Sequence, residues 1–144
     1  MQFPNISGCR RVVFTAMVAV QELHVVNNTY INERASSASF LRIAGTPSTV
    51  QVVNNIVAGT KTVLTGPGES TNNLVTDTAG FVDAGHSDYQ LTPRSPAHGT
   101  GTDPGRAGDF ILVPRFFYRH PVGAVPRPVG DKLNIGACPA GAGQ

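Results

Sequence analysis

Asp77, Asp83, His86 and Asp88 fall within twelve residues, and each is of a type that holds cations or moves protons. Carboxylates gathered within a few ångströms could bind Ca2+ through oxygen. They could also supply the acid and base of glycosidic cleavage, their separation setting the stereochemical course. The same residues flank a turn, where Asp ordinarily accepts hydrogen bonds from nearby backbone N–H groups. Capping is therefore the expected role of Asp83 and Asp88, and Asp77, Asp83 and Asp88 are carried forward only as candidate catalytic carboxylates. A second candidate is a polar strip of Glu22, His24 and Gln51. Glu22 and His24 share one strand face at period 2, and Gln51 stacks near His24, which suits sugar hydroxyls. A solvated strand face is the plainer expectation for His24 and Gln51. Tyr30, Tyr89, Phe116, Phe117 and Tyr118 could stack on sugar rings, but packing accounts for aromatic residues in such segments without a ligand.

Other chemistries are excluded by what the chain lacks. No Gly-Lys-Ser/Thr follows its glycine-rich stretches, so there is no phosphate loop. Net charge is +2, from 11 Lys+Arg against 9 Asp+Glu. Arg115, Arg119 and Arg127 are scattered among prolines. Nucleic acid is therefore not an expected partner. No apolar run approaches the roughly 18 residues of a membrane-spanning helix.

The elements that must position these residues are strands. Val, Ile and Thr total 36 residues, whereas Glu and Lys number three and two, so the composition favours sheet over helix. Sixteen Gly and 11 Pro imply many turns. A repeat runs along the chain. Leu23-His24-Val25-Val26-Asn27-Asn28 matches Val50-Gln51-Val52-Val53-Asn54-Asn55 at an offset of 27, and Thr71-Asn72-Asn73-Leu74-Val75 follows 18 residues later. Spacings of 27 and 18 leave no room for the helix of a βαβ unit. Antiparallel neighbours would not need the same Asn-Asn pair at the same point of each copy. Coils of a parallel β-helix would, because equivalent residues then stack about 4.8 Å apart. Asn27, Asn54 and Asn72, or their neighbours Asn28, Asn55 and Asn73, form an expected ladder of side-chain amides at a corner that needs left-handed backbone. Leu23 and Val25 stack inside on Val50 and Val52. Replacing Asn54 by Ala is expected to cost roughly 1–3 kcal/mol if its amide is buried.

After these copies come Gly80-Phe81-Val82-Asp83 and Asp88-Tyr89-Gln90-Leu91-Thr92-Pro93-Arg94-Ser95-Pro96-Ala97. This segment resembles the one with which many bacterial right-handed parallel β-helix proteins of the pectin-lyase-like group close their last coils. Arg127-Pro128 and Leu133-Asn134-Ile135-Gly136-Ala137 are similar to that group's terminal element, with Asn134 in place of an acid and Cys138 in place of an aromatic residue. The resemblance implies an all-β fold, a short right-handed parallel β-helix of about three coils, in an extracellular or cell-surface protein that works on or beside polysaccharide. Ca2+ enters only through this resemblance, and no other cofactor is implied. The group includes polysaccharide lyases and glycoside hydrolases, but no motif here receives their catalytic roles. The resulting expectation is a non-catalytic C-terminal part of a β-helix protein, structural or glycan-binding, with further coils or a partner covering its open N-terminal end. A small lyase or hydrolase of acidic polysaccharide is the alternative.

Three segments follow. Residues 1–21 are either a partial coil or a weak signal-like run: Arg10 and Arg11 precede an apolar stretch from 12 to 20, yet no small-x-small cleavage site follows it. Residues 22–92 hold the coils. Residues 93–144, with eight Pro and nine Gly, form a closing segment and an extended strap. Phe81, Tyr89 and Leu91 are expected to close the stack, with Asp88 and Ser95 capping turns. Cys9 and Cys138, near opposite ends of the chain, could pair in an oxidising compartment, but a lone distant pair is more simply read as two unrelated thiols.

Overall fold

The computed structural model describes residues 21–32, 39–86, 88–119, 123–128 and 132–140. The apolar run from 12 to 20, Cys9 and the loop at 33–37 lie outside them, and with Cys9 the question of its pairing.

The chain is all-β. Its strands are β1 (Glu22–Val26), β2 (Thr29–Ile31), β3 (Leu41–Arg42), β4 (Thr49–Val53), β5 (Ile56–Ala58), β6 (Leu64–Thr65), β7 (Glu69–Thr71), β8 (Leu74–Val75) and β9 (Phe81–Asp83). Then come β10 (Asp88–Leu91), β11 (Arg106–Ala107), β12 (Phe110–Ile111), β13 (Phe116–Arg119) and β14 (Gly123–Pro126). Among the described residues the one helical element is a 3-10 turn, Ala84–His86.

The repeat becomes parallel pairing. Three small sheets run β1-β4-β7, β2-β5-β8 and β3-β6, all parallel. The register is the one the offset of 27 demands: Leu23 lies on Val50, His24 on Gln51 and Val25 on Val52. Gln51 lies on Glu69 and Val53 on Thr71, the offset of 18. Each copy leaves its first strand through an Asn in the left-handed region, with φ of 52° at Asn27, 57° at Asn54 and 49° at Asn72. Asn tolerates this conformation where a β-branched residue would not.

Two cores result. Leu41, Ile43, Val50 and Val52 are buried together, with Leu23, Val25, Phe40, Val63 and Leu64 packed around them. Alternation along β4 sets this up, since Val50 and Val52 are buried while Thr49 is exposed and Gln51 half-buried. The second core lies against β5 and β8. There Ile56 meets Ala79, Leu91, Ala97 and Ile135, with Leu74 and Phe81 beside them. Phe81 and Tyr89 meet edge-to-face at 5.4 Å. The closing residues thus gather over Ile56 and Leu74 rather than inside the first core.

Residues after 93 differ from the extended strap read from the sequence. They form two short antiparallel hairpins, β11-β12 and β13-β14, separated by irregular chain. The two-residue link Gly108-Asp109, with Gly108 at φ 54°, supplies the left-handed turn that a tight hairpin requires. Residues 100–102 and 134–136 dock on the asparagine corners of the parallel sheets, and Pro139 and Ala140 bond to Leu91 of β10.

Candidate functional site

The Asn-Asn pair is where the chain concentrates its buried polar chemistry, and its two members do different things. The second Asn of each pair forms an inner column. Asn28 donates from its backbone N and its Nδ2 to Asn55 Oδ1, at 2.9 and 3.0 Å. Asn55 does the same to Asn73 Oδ1, at 2.9 and 2.8 Å. Asn55 Nδ2 also donates to Val25 O and Val53 O, and Asn73 Nδ2 to Val52 O.

The first Asn, the one in the left-handed conformation, forms an outer column that grips the closing segment. Asn27 Nδ2 donates to Asn134 O at 2.7 Å and Gly136 O at 3.3 Å. Asn54 Nδ2 donates to Thr102 O at 2.6 Å, its Oδ1 accepts from Thr102 N, and Gly136 N donates to Asn54 O. Asn72 Nδ2 donates to Thr100 O and to Asn54 Oδ1. Asn27, Asn54 and Asn72 are therefore joined to one another, as the sequence reading expected, but they also carry a docking role that no local pattern signals. The partners sit 28 to 109 residues away along the chain.

His24 and Gln51 stack as expected, with His24 Nδ1 2.9 Å from Gln51 Oε1. The strip is not open, however. Gln51 Nε2 donates to Pro104 O at 3.0 Å, and the His24 side chain keeps only 15% of its surface exposed. His24 Nε2 is buried without a hydrogen bond, 3.6 Å from Glu22 Oε2. The expected solvated face is part-covered because the chain after Thr102 crosses it.

Each of the three candidate carboxylates accepts from a backbone N–H, and two of them share one strand pair. Asp83 accepts from His86 N at 3.3 Å and pairs with the exposed His86 ring at 2.7 Å. Asp88 lies opposite Asp83 across β9 and β10 and accepts from Gln90 N. Asp77 accepts from Gly59 N, one copy away. Among the described residues no three His, Cys, Asp or Glu side chains are grouped to hold a metal ion. Ser95 takes the capping role assigned to it, its Oγ donating to Ala79 O and accepting from Ala97 N.

Cys138 is buried and, among the described residues, has no disulfide partner. Burial, and secondarily the Asp88 carboxylate, pushes its pKa from 9.0 up to about 11. The folded state thus prefers the protonated thiol. Stability from this group is fully present below pH 9 and is lost as pH rises from 9 to 11, on the order of 3 kcal/mol at most. Chemical denaturation at pH 8 and pH 10.5 should show this loss, and Cys138→Ala should flatten it.

A cleft of about 620 Å3 opens between β13-β14 and the terminal segment, lined by His98, Phe117, Lys132 and Asn134 among others. Phe117, one of the candidate stacking aromatics, lies here under the Arg127 guanidinium at 5.4 Å. Phe116 is 57% exposed, and the Tyr30 ring packs on Phe40 at 5.1 Å.

No protein-family model, no curated protein and no solved structure matches this chain. No helix among the described residues is long and apolar enough to cross a membrane.

Proposed function

We propose that this chain is a structural end unit of a right-handed parallel β-helix, of the pectin-lyase-like kind that its closing segment resembles. It is the non-catalytic C-terminal part of an extracellular protein whose other coils meet carbohydrate. The observation that carries this reading is the pair of asparagine columns. Three sequence copies stack in parallel register through the inner column, and the outer column is given over to holding residues 100–102 and 134–136. Asp77, Asp83 and Asp88 each accept a backbone N–H at a turn or between copies.

Incubation with pectate, alginate and neutral plant polysaccharides is the direct test. The expected result is no unsaturated or reducing ends above a protein-free blank. Turnover that disappears in Asp83→Ala would establish the lyase or hydrolase alternative instead. Asp83→Ala itself should change stability by no more than about 0.5 kcal/mol, because its side chain is half exposed and its partner His86 more so.

A further inference from the structure

We infer that the cleft between the β13-β14 hairpin and the terminal segment is a binding site for a small aromatic carboxylate, with the ligand's ring laid on Phe117 and its carboxylate paired with Lys132. Nothing in this depends on the role given to the coils. A volume of about 620 Å3 lies within the range of pockets that take up small molecules.

The walls are held in place before any ligand arrives. Phe117 and Val125 are paired across β13 and β14, which sets them side by side on one face of the hairpin. Arg127 fixes that hairpin. Its backbone N donates to Arg115 O at 2.9 Å, its Nη2 donates to Lys132 O at 2.6 Å, and its guanidinium lies 5.4 Å from the centre of the Phe117 ring. Arg127 is not itself in the lining, so the cleft meets the part of the Phe117 ring that the guanidinium leaves free. Pro139 and Ala140, also in the lining, are tied to Leu91. Pro126 and Pro139 stiffen the backbone on which the walls are built. A site whose walls are already fixed loses little freedom when it binds.

The lining is mainly apolar, and its polar members decide the ligand. Asn134 is already spent. Its Oδ1 accepts from Gly99 N at 2.9 Å, its Nδ2 donates to Cys138 O, and its carbonyl accepts from Asn27. His98 Nδ1 lies 3.3 Å from Pro93 O, and because a carbonyl only accepts, the proton of this contact belongs to Nδ1. Lys132 is different. Its stem runs along Gly99, where a Cβ would lie 3.6 Å from Lys132 Cδ, and its ammonium enters neither ion pair found among the described residues. None of the described lining residues is acidic. One unopposed ammonium beside an aromatic ring and proline walls matches one carboxylate on a flat apolar body. A sugar ring fits poorly, because its hydroxyls would lose water to Phe117, Val125 and proline with few partners in exchange.

Titration of the unmodified chain with cinnamate, followed by nuclear magnetic resonance, tests this. The expected result is a saturable shift of the Phe117 ring, Val125 methyl and Ala140 methyl signals at about the millimolar level. The fully saturated counterpart, cyclohexylpropanoate, should bind about threefold more weakly for want of a ring to stack, and cinnamyl alcohol about fivefold more weakly for want of a charge. Lys132→Gln should erase the preference for cinnamate over cinnamyl alcohol, and Phe117→Leu the preference over cyclohexylpropanoate. The Lys132 side chain is exposed, so its substitution keeps the fold and decides the matter even where Phe117→Leu loosens the hairpin. Absence of a saturable shift, glucuronate binding as tightly as cinnamate, or a charge preference that survives Lys132→Gln overturns the inference.

Discussion

Asn55→Ala lowers the stability of the fold by about 3–5 kcal/mol, as measured by chemical denaturation, a range that few kinds of substitution reach, breaking a buried polar network being one. Asn55 has no exposed surface. Its Oδ1 takes two donors from Asn28, and its Nδ2 has three acceptors within reach, Val25 O, Val53 O and Asn73 Oδ1. Truncation leaves the Asn28 amide and two strand carbonyls facing a void too small and too apolar to hydrate well. Asn73→Ala is the control. It sits half-buried at the last copy, its Nδ2 bonding Val52 O and Ser70 Oγ and its Oδ1 accepting from Asn55 N and Nδ2, and because solvent can reach the groups it leaves, its loss should cost less than that of Asn55, about 1–3 kcal/mol. Asn55→Asp should cost at least as much as Asn55→Ala. It keeps the shape but aims a carboxylate at Asn73 Oδ1 and two carbonyls. If Asn55 and Asn73 respond equally, the column does not act as a buried unit.

The contrast between these two residues also marks how far the sequence could be read. Pairing was legible because it depends on local quantities. Leu23 and Val50, or His24 and Gln51, share a place in a repeat, and period 2 decides which of them face inward. The corner was legible because few residues other than Gly tolerate left-handed backbone as Asn does. What distinguishes Asn54 from Asn55 is not local. Both are fully buried, yet one faces the neighbouring copy and the other faces Thr102, 48 residues on. The cover over Gln51 comes from Pro104 in the same way. Proline and glycine content identified the tail after 93 as irregular, but composition says nothing of where an irregular segment lands. The carboxylates were the opposite case. Asp83 and Asp88 cap the turn beside them, a local event, and capping was the reading their spacing favoured.

Gly136→Ala releases the terminal segment from the outer column, and the buried thiol two residues further on reports it. Gly136 has φ of 87°, and a Cβ there would lie 2.6 Å from Ile56 Cδ1 and 2.7 Å from Thr29 Oγ1. Neither neighbour can yield readily. Ile56 is fully buried in the second core, and Thr29 Oγ1 accepts from Ala137 N. The substitution therefore adds left-handed strain of about 1 kcal/mol to a steric conflict of about 1–3 kcal/mol. Relief comes from letting go of Gly136 N→Asn54 O and the two carbonyls that Asn27 holds. Ile135 then leaves Ile56, and Cys138, 8% exposed while docked, meets solvent. In a Cys9→Ser background the thiol of the parent should react slowly with a disulfide reagent at pH 8. In Gly136→Ala it should react at least tenfold faster, because opening both exposes the sulfur and removes the burial that keeps it protonated. Asn27→Ala should move the same rate in the same direction through a different contact. A thiol whose reactivity ignores both changes would mean that the outer asparagines do not hold the cover.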